Sequence, residues 1–303
     1  MSNPYARHNE KSKANFDAVY DLPDPRGYFE ALGSLDYRAP EHGGRVFGSL
    51  LDLRREEDQS KGRTQGRPAP KVLDLCCSYG VNAALLKCDL TLDDLYERYR
   101  SEEIAGLSGE ELVRSDRAFY AAHRRRDACE VAGTDAAQNA VRYAVRAGLL
   151  DAGAAENLEE AEPTPELARA SQGVSLITVT GGVGYIWEHT FERVLRSVTV
   201  AGGTPWVAAF AVRFVDYGPI AAVLARHGLV TEKVSVRTFA QRRFRDAAER
   251  DHVLEQLARA GVDPTGREEA GWYHADLYLS RPADGDRSLS ADRLLGGPGL
   301  LDY

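Results

Sequence analysis

The stretch KVLDLCCSYGVNAALL, residues Lys71–Leu86, decides the predicted fold. An apolar run that carries Asp74 is followed by small residues and then by a helical pattern, which predicts a buried strand, a tight turn and a helix. The free N–H groups at the start of such a helix can bind a ligand. Cys76 and Ser78 stand where a nucleotide-binding turn usually has glycine, and only Gly80 remains. Because cysteine and serine do not adopt positive φ freely, we expect a neutral or zwitterionic ligand rather than a pyrophosphate.

Five further strands are predicted along the chain. Three are short and buried and alternate with helices, and the last two alternate between apolar and polar residues: Cys129–Asp135, Val174–Gly182, Thr204–Arg213, Gly228–Phe239 and Trp272–Ser280. Strands that alternate with helices predict a mostly parallel sheet with helices on both faces. The alternating pattern of the last two favours an antiparallel pair at the edge. The predicted fold class is therefore α/β and Rossmann-like.

Three segments lie outside this predicted sheet. Residues 1–70 are predicted to form a helical cap followed by a linker over Arg54–Pro70, which is charged and rich in glycine, glutamine and proline. The Rossmann-like domain spans 71–282, and a polar, helix-prone insert occupies about 88–126. Residues 283–303 form a tail. We expect the cap and the insert to close over the carboxyl ends of the strands as a lid, which would enclose a small substrate.

Composition restricts the class of protein. The 303 residues carry a net charge of −8, which disfavours nucleic acid as a partner. No run of about eighteen apolar residues predicts a membrane span, and the N-terminus lacks the apolar core of a secretory signal, so a cytoplasmic location is expected. None of the four cysteines forms a C-x-x-C pair, and no metal site is predicted. The oligomeric state stays open.

The residues that follow the strands are the candidates for ligand binding, because ligands of open parallel sheets bind at the carboxyl ends of the strands. Asp135 follows the second strand, where a carboxylate can accept hydrogen bonds from both hydroxyls of a ribose. Asn139 lies one helical turn further on and can share that face. The turn Leu75–Gly80 does not contain the G-x-G-x-x-G pattern of dinucleotide dehydrogenases, which ranks that class lower.

These motifs resemble the class I S-adenosylmethionine-dependent methyltransferases over roughly Lys71–Pro282. VLDLCCSYG resembles the family's first motif but has Cys76 and Ser78 where the family usually has glycine. VAGTD places Asp135 where the family has the acid that binds the ribose. AENLEE resembles the motif whose polar side chain meets the adenine amine, and LITVTGGVGYI resembles the floor of the reaction site. The resemblance implies S-adenosylmethionine as cofactor, with these residues at the site: Asp74, Cys76, Ser78, Gly80, Asp135, Glu156, Asn157, Thr180, Gly181, Gly182 and Tyr185.

The resemblance also implies candidates for the chemistry. Tyr185 is expected to face the sulfonium, whose charge an aromatic ring can stabilise. Glu188 and His189 follow directly and are candidates for a general base. Side chains of the cap that could line the substrate pocket are Tyr20, Arg26, Tyr28 and Tyr37.

Three functions stay open at this point. The first is methyl transfer to a small molecule in an enclosed pocket. The second is self-cyclisation, in which the amine of S-adenosylmethionine attacks the carbon next to its own sulfur, releases methylthioadenosine and forms azetidine-2-carboxylate. The third is a non-catalytic protein that binds S-adenosylmethionine.

Overall fold

The computed structural model describes residues 17–60, 70–199, 204–283 and 290–295. Within these ranges the chain forms one eight-stranded sheet. Its strands are β1 Lys71–Leu75, β2 Glu130–Asp135, β3 Ala152–Ala155, β4 Val174–Thr180, β5 Trp206–Val212, β6 Leu229–Lys233, β7 Phe239–Arg243 and β8 Trp272–Pro282.

Strands β1 to β5 run parallel in the order β3-β2-β1-β4-β5. β8 continues the sheet antiparallel to β5, and both β6 and β7 pair antiparallel with β8. The predicted Rossmann-like sheet with an antiparallel edge is therefore confirmed. The chain runs outward from β1 through β2 and β3 and then returns to the other side of β1 as β4. Such a reversal opens a crevice at the carboxyl ends of these strands.

The helices divide into three groups. The N-terminal helices are α1 Asp17–Tyr20, α2 Arg26–Gly33 and α3 Ala39–Ser60. After β1 and α4 Val81–Lys87, the insert forms α5 Leu92–Arg100, α6 Glu102–Ala105 and α7 Gly109–Ala122. The others are α8 Gln138–Arg146, α9 Pro165–Ala170, α10 Glu188–Thr199, α11 Gly218–Arg226, α12 Ala247–Arg259 and α13 Ala291–Leu295.

The sheet buries both of its faces, as its apolar strands predict. Along β1, Val72 and Leu73 are each fully buried, but they belong to separate apolar clusters because successive side chains point to opposite faces. The cluster on the Val72 face includes Phe47 and Leu50 of α3, and the Phe47 ring lies 5.7 Å from the ring of Phe210 on β5. The N-terminal helices are thus part of the main core.

The insert is built as its pattern predicts. Its apolar residues Leu92, Leu95, Tyr96 and Tyr99 are all buried. Capping boxes begin two of its helices: Thr91 and Asp94 exchange hydrogen bonds at α5, and Ser108 and Glu111 do so at α7. The Tyr99 ring stacks on Phe29 of α2 at 4.2 Å between centroids, so the insert supports the N-terminal helices from outside.

Three details differ from the sequence prediction. Helix α3 continues to Ser60, so the first residues of the predicted linker are helical, and its remainder at 61–69 lies outside the described residues. Most of the predicted tail lies outside them as well, apart from Ala283 and 290–295. Strand β3, with the sequence AGAA, was not predicted, because alanine and glycine have little preference for strands. The division into cap, domain and tail stays a prediction.

The single strand predicted over Gly228–Phe239 is wrong, because the structure forms β6 and β7 there with a loop between them. Val234 still donates its backbone N–H to Leu277 of β8, at 2.9 Å. At Ser235 the chain leaves the ladder, and both its N–H and its hydroxyl bond to the carboxylate of Asp292 on α13 instead. β8 therefore pairs with β6 along one half and with β7 along the other.

Candidate functional site

The turn after β1 takes a left-handed backbone at three alternate residues. Cys76 has φ 57°, Ser78 has φ 47° and Gly80 has φ 78°. The expectation that cysteine and serine would restrict positive φ here is therefore wrong. Each non-glycine residue in this region costs on the order of 1–3 kcal/mol and needs support from its surroundings. The end of β2 gives that support. The backbone oxygen of Thr134 accepts the N–H of Cys77 at 3.2 Å, and the carboxylate of Asp135 accepts the N–H of Ser78 at 2.9 Å.

Glycines occur instead in the two segments that face this turn, at the end of β2 and just after β4. A Cβ atom added to Gly182 would lie 2.7 Å from the Cys76 sulfur, and one added to Gly133 would lie 2.7 Å from the Cys77 sulfur. Contacts that short do not occur between real side chains, so both positions require glycine. The side chains of Cys76 and Cys77 fit because the residues that face them, Gly182 and Gly133, have no side chain.

Asp74 lies behind the turn and is 1% exposed. Thr178 of β4 donates its hydroxyl to the carboxylate at 2.7 Å, and Asn82 donates its side-chain amide at 3.3 Å. Burial raises the pKa of Asp74 to about 7, although these two hydrogen bonds oppose the rise. Asp74 therefore connects β1, β4 and the first turn of α4 beneath the crevice.

Asp135 at the end of β2 is half-buried and accepts two backbone hydrogen bonds. One comes from Ser78 in the turn and one from Ala137, each at 2.9 Å. Burial raises the pKa of Asp135, and the backbone donors oppose that rise. Each carboxylate oxygen can accept more than one hydrogen bond, so the side chain retains capacity for a ligand.

A cavity of about 450 Å³ opens along the carboxyl ends of β1, β2 and β4. This volume is in the usual range for small-molecule sites. Most of the residues predicted for the site meet here: Cys76, Ser78, Asp135, Glu156, Asn157, Thr180, Gly181, Gly182, Tyr185, Tyr20, Tyr28 and Tyr37. They come from five separate segments, which only the folded sheet brings together. Their roles stay predictions.

Six predicted residues do not line this cavity: Asp74, Gly80, Asn139, Arg26, Glu188 and His189. Asp74 lies beneath it, and Gly80 precedes α4 in the left-handed conformation. Asn139 instead holds the N-terminal segment, since its N–H and side-chain amide both donate to Asp21, at 2.6 and 2.9 Å. Asp21 itself lines the cavity.

Arg26 connects the N-terminal helices to the insert. Its guanidinium pairs with Asp24 at 2.7 Å and donates to the backbone oxygen of Leu107 at 2.9 Å. No insert residue lines the cavity within the described ranges, so the expected two-part lid has one lining part, the N-terminal segment. The insert contacts the N-terminal segment on the side away from the cavity, because Tyr96 donates its hydroxyl to the backbone oxygen of Tyr37 at 2.9 Å.

Glu188 and His189 lie at the start of α10, where Thr190 is the residue that reaches the cavity. Glu159, which was not predicted, fixes this helix start. One of its carboxylate oxygens accepts the N–H groups of Trp187 and Thr190 at 2.7 and 3.1 Å, and also the Thr190 hydroxyl at 2.6 Å. Glu159 lies 28 residues before Trp187 along the chain, so no local pattern in the sequence indicated this contact.

The cavity wall contains buried polar atoms that have no hydrogen-bond partner in the described part of the chain. They are the Ser78 hydroxyl, the Asn82 amide oxygen and the hydroxyls of Thr134 and Thr180. All four side chains are at least nine-tenths buried and line the cavity. Native proteins rarely leave such atoms unpaired, because each loses its hydration without compensation. Their position indicates that a polar ligand completes them.

Asn82 was not among the predicted site residues. Its amide nitrogen donates to Asp74, which points its amide oxygen toward the cavity beside Thr180. A Cβ added to Gly43 of α3 would lie 3.0 Å from both the Asn82 oxygen and the Thr180 hydroxyl, so the N-terminal helix approaches this pair closely. A polar residue in the otherwise apolar start of a helix, VNAALL, was the available signal.

Aromatic rings of the N-terminal segment form one side of the cavity. Tyr28 packs edge-on against Tyr20 and Tyr79, at 5.8 and 5.7 Å between ring centroids. Tyr37 is buried, and its hydroxyl would lie 3.1 Å from a Cβ at Gly181. Tyr185 is 38% exposed, which places it at the mouth. The wall opposite the polar strand ends is thus aromatic.

Solved structures similar to this chain include several methyltransferases. A TehB-like S-adenosylmethionine-dependent methyltransferase from Corynebacterium glutamicum is 12% identical, over 78% of this chain and 99% of its own, with a TM-score of 0.35. Magnesium protoporphyrin IX methyltransferase from Synechocystis PCC 6803, solved with bound S-adenosylmethionine, is 9% identical over 93% and 98%, with a TM-score of 0.37. The plantazolicin methyltransferase, solved with S-adenosylhomocysteine, is 9% identical over 91% and 97%, with a TM-score of 0.41.

These proteins are of the superfamily that the sequence resembles. Identities and TM-scores this low carry no argument about activity, and the fold assignment rests on the strand order and pairing described above. No protein-family model and no curated protein matches the chain.

Two further observations concern metals and membranes. Across the described ranges, no group of three or more histidine, cysteine, aspartate or glutamate side chains is arranged to hold a metal ion. None of the helices in those ranges is both long enough and apolar enough to cross a bilayer.

Proposed function

We propose that the protein is a cytoplasmic enzyme of small-molecule metabolism that binds S-adenosylmethionine in the 450 Å³ cavity and transfers its methyl group to a small acceptor. The observation that carries the proposal is a set of buried polar atoms on the cavity wall that have no hydrogen-bond partner among the described residues; they belong to Ser78, Asn82, Thr134 and Thr180. They line the crevice at the carboxyl ends of the strands, where a Rossmann-like sheet binds its ligand, between a half-buried carboxylate and an aromatic wall.

Each part of such a ligand has a candidate partner. Asp135 would accept hydrogen bonds from the ribose hydroxyls, and Asn157 would meet the adenine amine together with Glu156. The Glu156 carboxylate is held in place by the N–H and hydroxyl of Thr164. The Asn82 oxygen and the Thr180 hydroxyl suit an ammonium group, because both can accept a hydrogen bond.

The chemistry would need little from the protein beyond positioning. The sulfonium makes the methyl carbon electrophilic, and its bond to sulfur breaks as the acceptor forms its own bond to carbon, with the electron pair left on sulfur. Tyr185 would stabilise the positive charge by a cation–π contact. Since Glu188 and His189 do not line the cavity, we propose an acceptor that reacts without a side-chain base from α10.

A second candidate function is favoured by the limited space beside the main cavity. The adjoining recess measures only about 40 Å³. In self-cyclisation the amine of S-adenosylmethionine attacks the carbon next to sulfur, that carbon–sulfur bond breaks toward methylthioadenosine, and the nitrogen loses a proton. This reaction requires no second substrate, and its product is azetidine-2-carboxylate.

Product analysis separates the candidates. The purified protein is incubated with S-adenosylmethionine alone and then with a metabolite extract, and the products are identified by mass spectrometry. S-adenosylhomocysteine that forms only with the extract supports methyl transfer, and methylthioadenosine with a cyclic amino acid in the first reaction supports self-cyclisation. Tight binding by calorimetry without either product supports a non-catalytic binder, and absence of binding overturns the proposal.

The binding site itself is tested by a matched pair of variants. Thr180→Val removes a cavity hydroxyl without changing the size of the side chain, and we expect it to weaken S-adenosylmethionine binding by roughly three- to tenfold. Thr231→Val makes the same change on β6, outside the cavity lining, and should leave the affinity unchanged. Equal affinities in both variants would remove the hydroxyl of Thr180 from the site.

A further inference from the structure

A second cavity of about 40 Å³, here called the β7 recess, adjoins the main cavity. The two cavities share the residues Tyr20, Tyr37, Gly181 and Tyr185. From there the β7 recess extends to Gln241 and Arg242 of β7 and to Tyr273 of β8. It therefore lies on the side of Tyr37 and Tyr185 away from the turn after β1, where a second reactant would lie.

Gln241 is the polar residue that the β7 recess leaves unsatisfied. Its side chain is 7% exposed, and its amide nitrogen is buried with no hydrogen-bond partner in the ranges that the structure describes. The backbone around it is fixed, because its carbonyl oxygen accepts the N–H of Arg38 at 2.6 Å. A buried N–H donor held in this way favours a ligand atom that accepts a hydrogen bond.

The charge of Arg242 is neutralised within the protein. Its guanidinium forms a two-pronged pair with Glu249 of α12, at 2.8 and 2.9 Å, and lies 4.4 Å from the centre of the Tyr273 ring. Arg242 is also the one charged residue that lines the β7 recess among those described. An anionic ligand would lose its hydration here without gaining a counter-charge, so an uncharged group is favoured.

Size sets the last limit. Each water-sized group needs about 10–15 Å³ of cavity volume, so the β7 recess has room for about three non-hydrogen atoms. We propose that the β7 recess binds an uncharged carbonyl group of the methyl acceptor, such as an amide or a ketone, with Gln241 as its hydrogen-bond donor. This inference rests on the proposed function and specifies the substrate class: a small molecule with a neutral carbonyl beside the atom that receives the methyl group.

The test uses acetamide as the probe and the intact protein loaded with S-adenosylhomocysteine. Binding of acetamide, acetate and methylammonium is measured by titration with ligand-observed NMR. We expect acetamide to bind best, and Gln241→Met, which keeps the size but removes the donor, to weaken its binding by roughly three- to tenfold. Gln256→Met is the matched control, because Gln256 is equally buried on α12 and lines neither cavity.

Several results would overturn the inference: acetamide affinity unchanged in Gln241→Met, equal losses in both variants, or tighter binding of acetate or methylammonium. Calorimetry with S-adenosylmethionine is run on the same samples, so that the two proposals can fail separately. If S-adenosylmethionine binds and the affinity for acetamide does not depend on Gln241, only the proposal for the β7 recess is wrong. If S-adenosylmethionine does not bind, the proposed function fails. Acetamide binding that depends on Gln241 in the unloaded protein then supports a carbonyl site in the β7 recess and overturns its assignment to a methyl acceptor.

Discussion

In the helical insert the buried polar atoms find partners within the protein, whereas along the cavity wall several have none among the described residues. Asp116 of α7 is fully buried and accepts the hydroxyls of Tyr99 and Tyr143, each at 2.5 Å, and the Arg98 guanidinium at 2.6 Å. Ser78 and Thr180 are almost as buried, and their hydroxyls have no hydrogen-bond partner in the part of the chain that the structure describes.

The difference separates structure from function. A satisfied network such as that of Asp116 joins the insert to α8 and requires nothing from outside. An unsatisfied buried oxygen is an unfavourable feature unless a ligand completes it. Substitutions in the insert should therefore lower stability and spare ligand binding, while substitutions along the cavity should do the reverse.

The largest effect is expected from Asp116→Ala. The change leaves the Arg98 charge and two tyrosine hydroxyls buried without their acceptor, so the free energy of unfolding should fall by about 3–5 kcal/mol. Denaturant unfolding measures it. Asp93→Ala is the control on α5, because the Asp93 carboxylate is exposed and pairs with Arg38 at the surface, where a pair contributes about 1 kcal/mol or less. A folded Asp116→Ala variant that loses S-adenosylmethionine affinity would break the comparison.

Asp74 should make the stability depend on pH. Its pKa in the folded protein is about 7, raised by burial from 3.8, so the folded state holds a proton that the unfolded state has lost. The stabilisation is fully present below about pH 4 and is lost as the pH rises through about 7, and it amounts to a few kcal/mol. Asp74→Asn should flatten this dependence, measured by denaturant unfolding at pH 5 and pH 8. A wild-type stability that rises with pH over this window relative to Asp74→Asn contradicts the assignment.

Asp135→Ala should weaken S-adenosylmethionine binding by about 1–3 kcal/mol, because hydrogen bonds to a charged group are lost. The variant also loses two backbone hydrogen bonds, which calls for a control of the same kind. Asp246→Ala at the start of α12 removes a carboxylate that accepts the N–H of Glu249 at 2.8 Å, and Asp246 is far along the chain from the residues that line the main cavity. Calorimetry should show an affinity loss in the first variant and none in the second, while both lose some stability.

Two glycines of α3 give the smallest and sharpest contrast. Gly48→Ala meets open space and should stabilise the helix by about 0.5–1 kcal/mol with no change in affinity. Gly43→Ala places a methyl group 3.0 Å from the side-chain oxygens of Asn82 and Thr180 that line the cavity, so it should weaken S-adenosylmethionine binding. Thermal melts and calorimetry measure both, and equal affinities would show that the ligand does not use this pair.

The sequence predicted the sheet well because its signals are local. The buried runs around Leu73 and Ile177 and the acids at their ends indicated strands that finish at one edge. Strand β3 was missed because AGAA forms a strand only when β2 is present to pair with it. The separation of β6 from β7 depends on Asp292, more than fifty residues away along the chain, and no local pattern reports it.

The site was predictable where it follows from strand ends and not where it depends on helix orientation. Ser78, Asp135 and Thr180 reach the cavity because the sheet places them there. Glu188 and His189 do not, since Glu159 fixes the start of α10 and Thr190 is the residue of that helix that lines the cavity. The position of Gln241 beside the cavity was not predicted, because its surroundings come from segments that are distant in the chain.

The divided strand opposite β8 has a consequence for how this protein could diversify. β6 completes the edge of the sheet, while β7 alone carries Gln241 and Arg242 into the β7 recess. The five residues 234–238 form the loop between these two strands. Loops tolerate changes of length better than strands do, so changes there would affect the approach to β7 and leave the pairing of β6 with β8 in place. Under the proposed function, the loop at 234–238 is therefore the segment in which a change of length would alter the acceptor site and leave the binding site for S-adenosylmethionine in place.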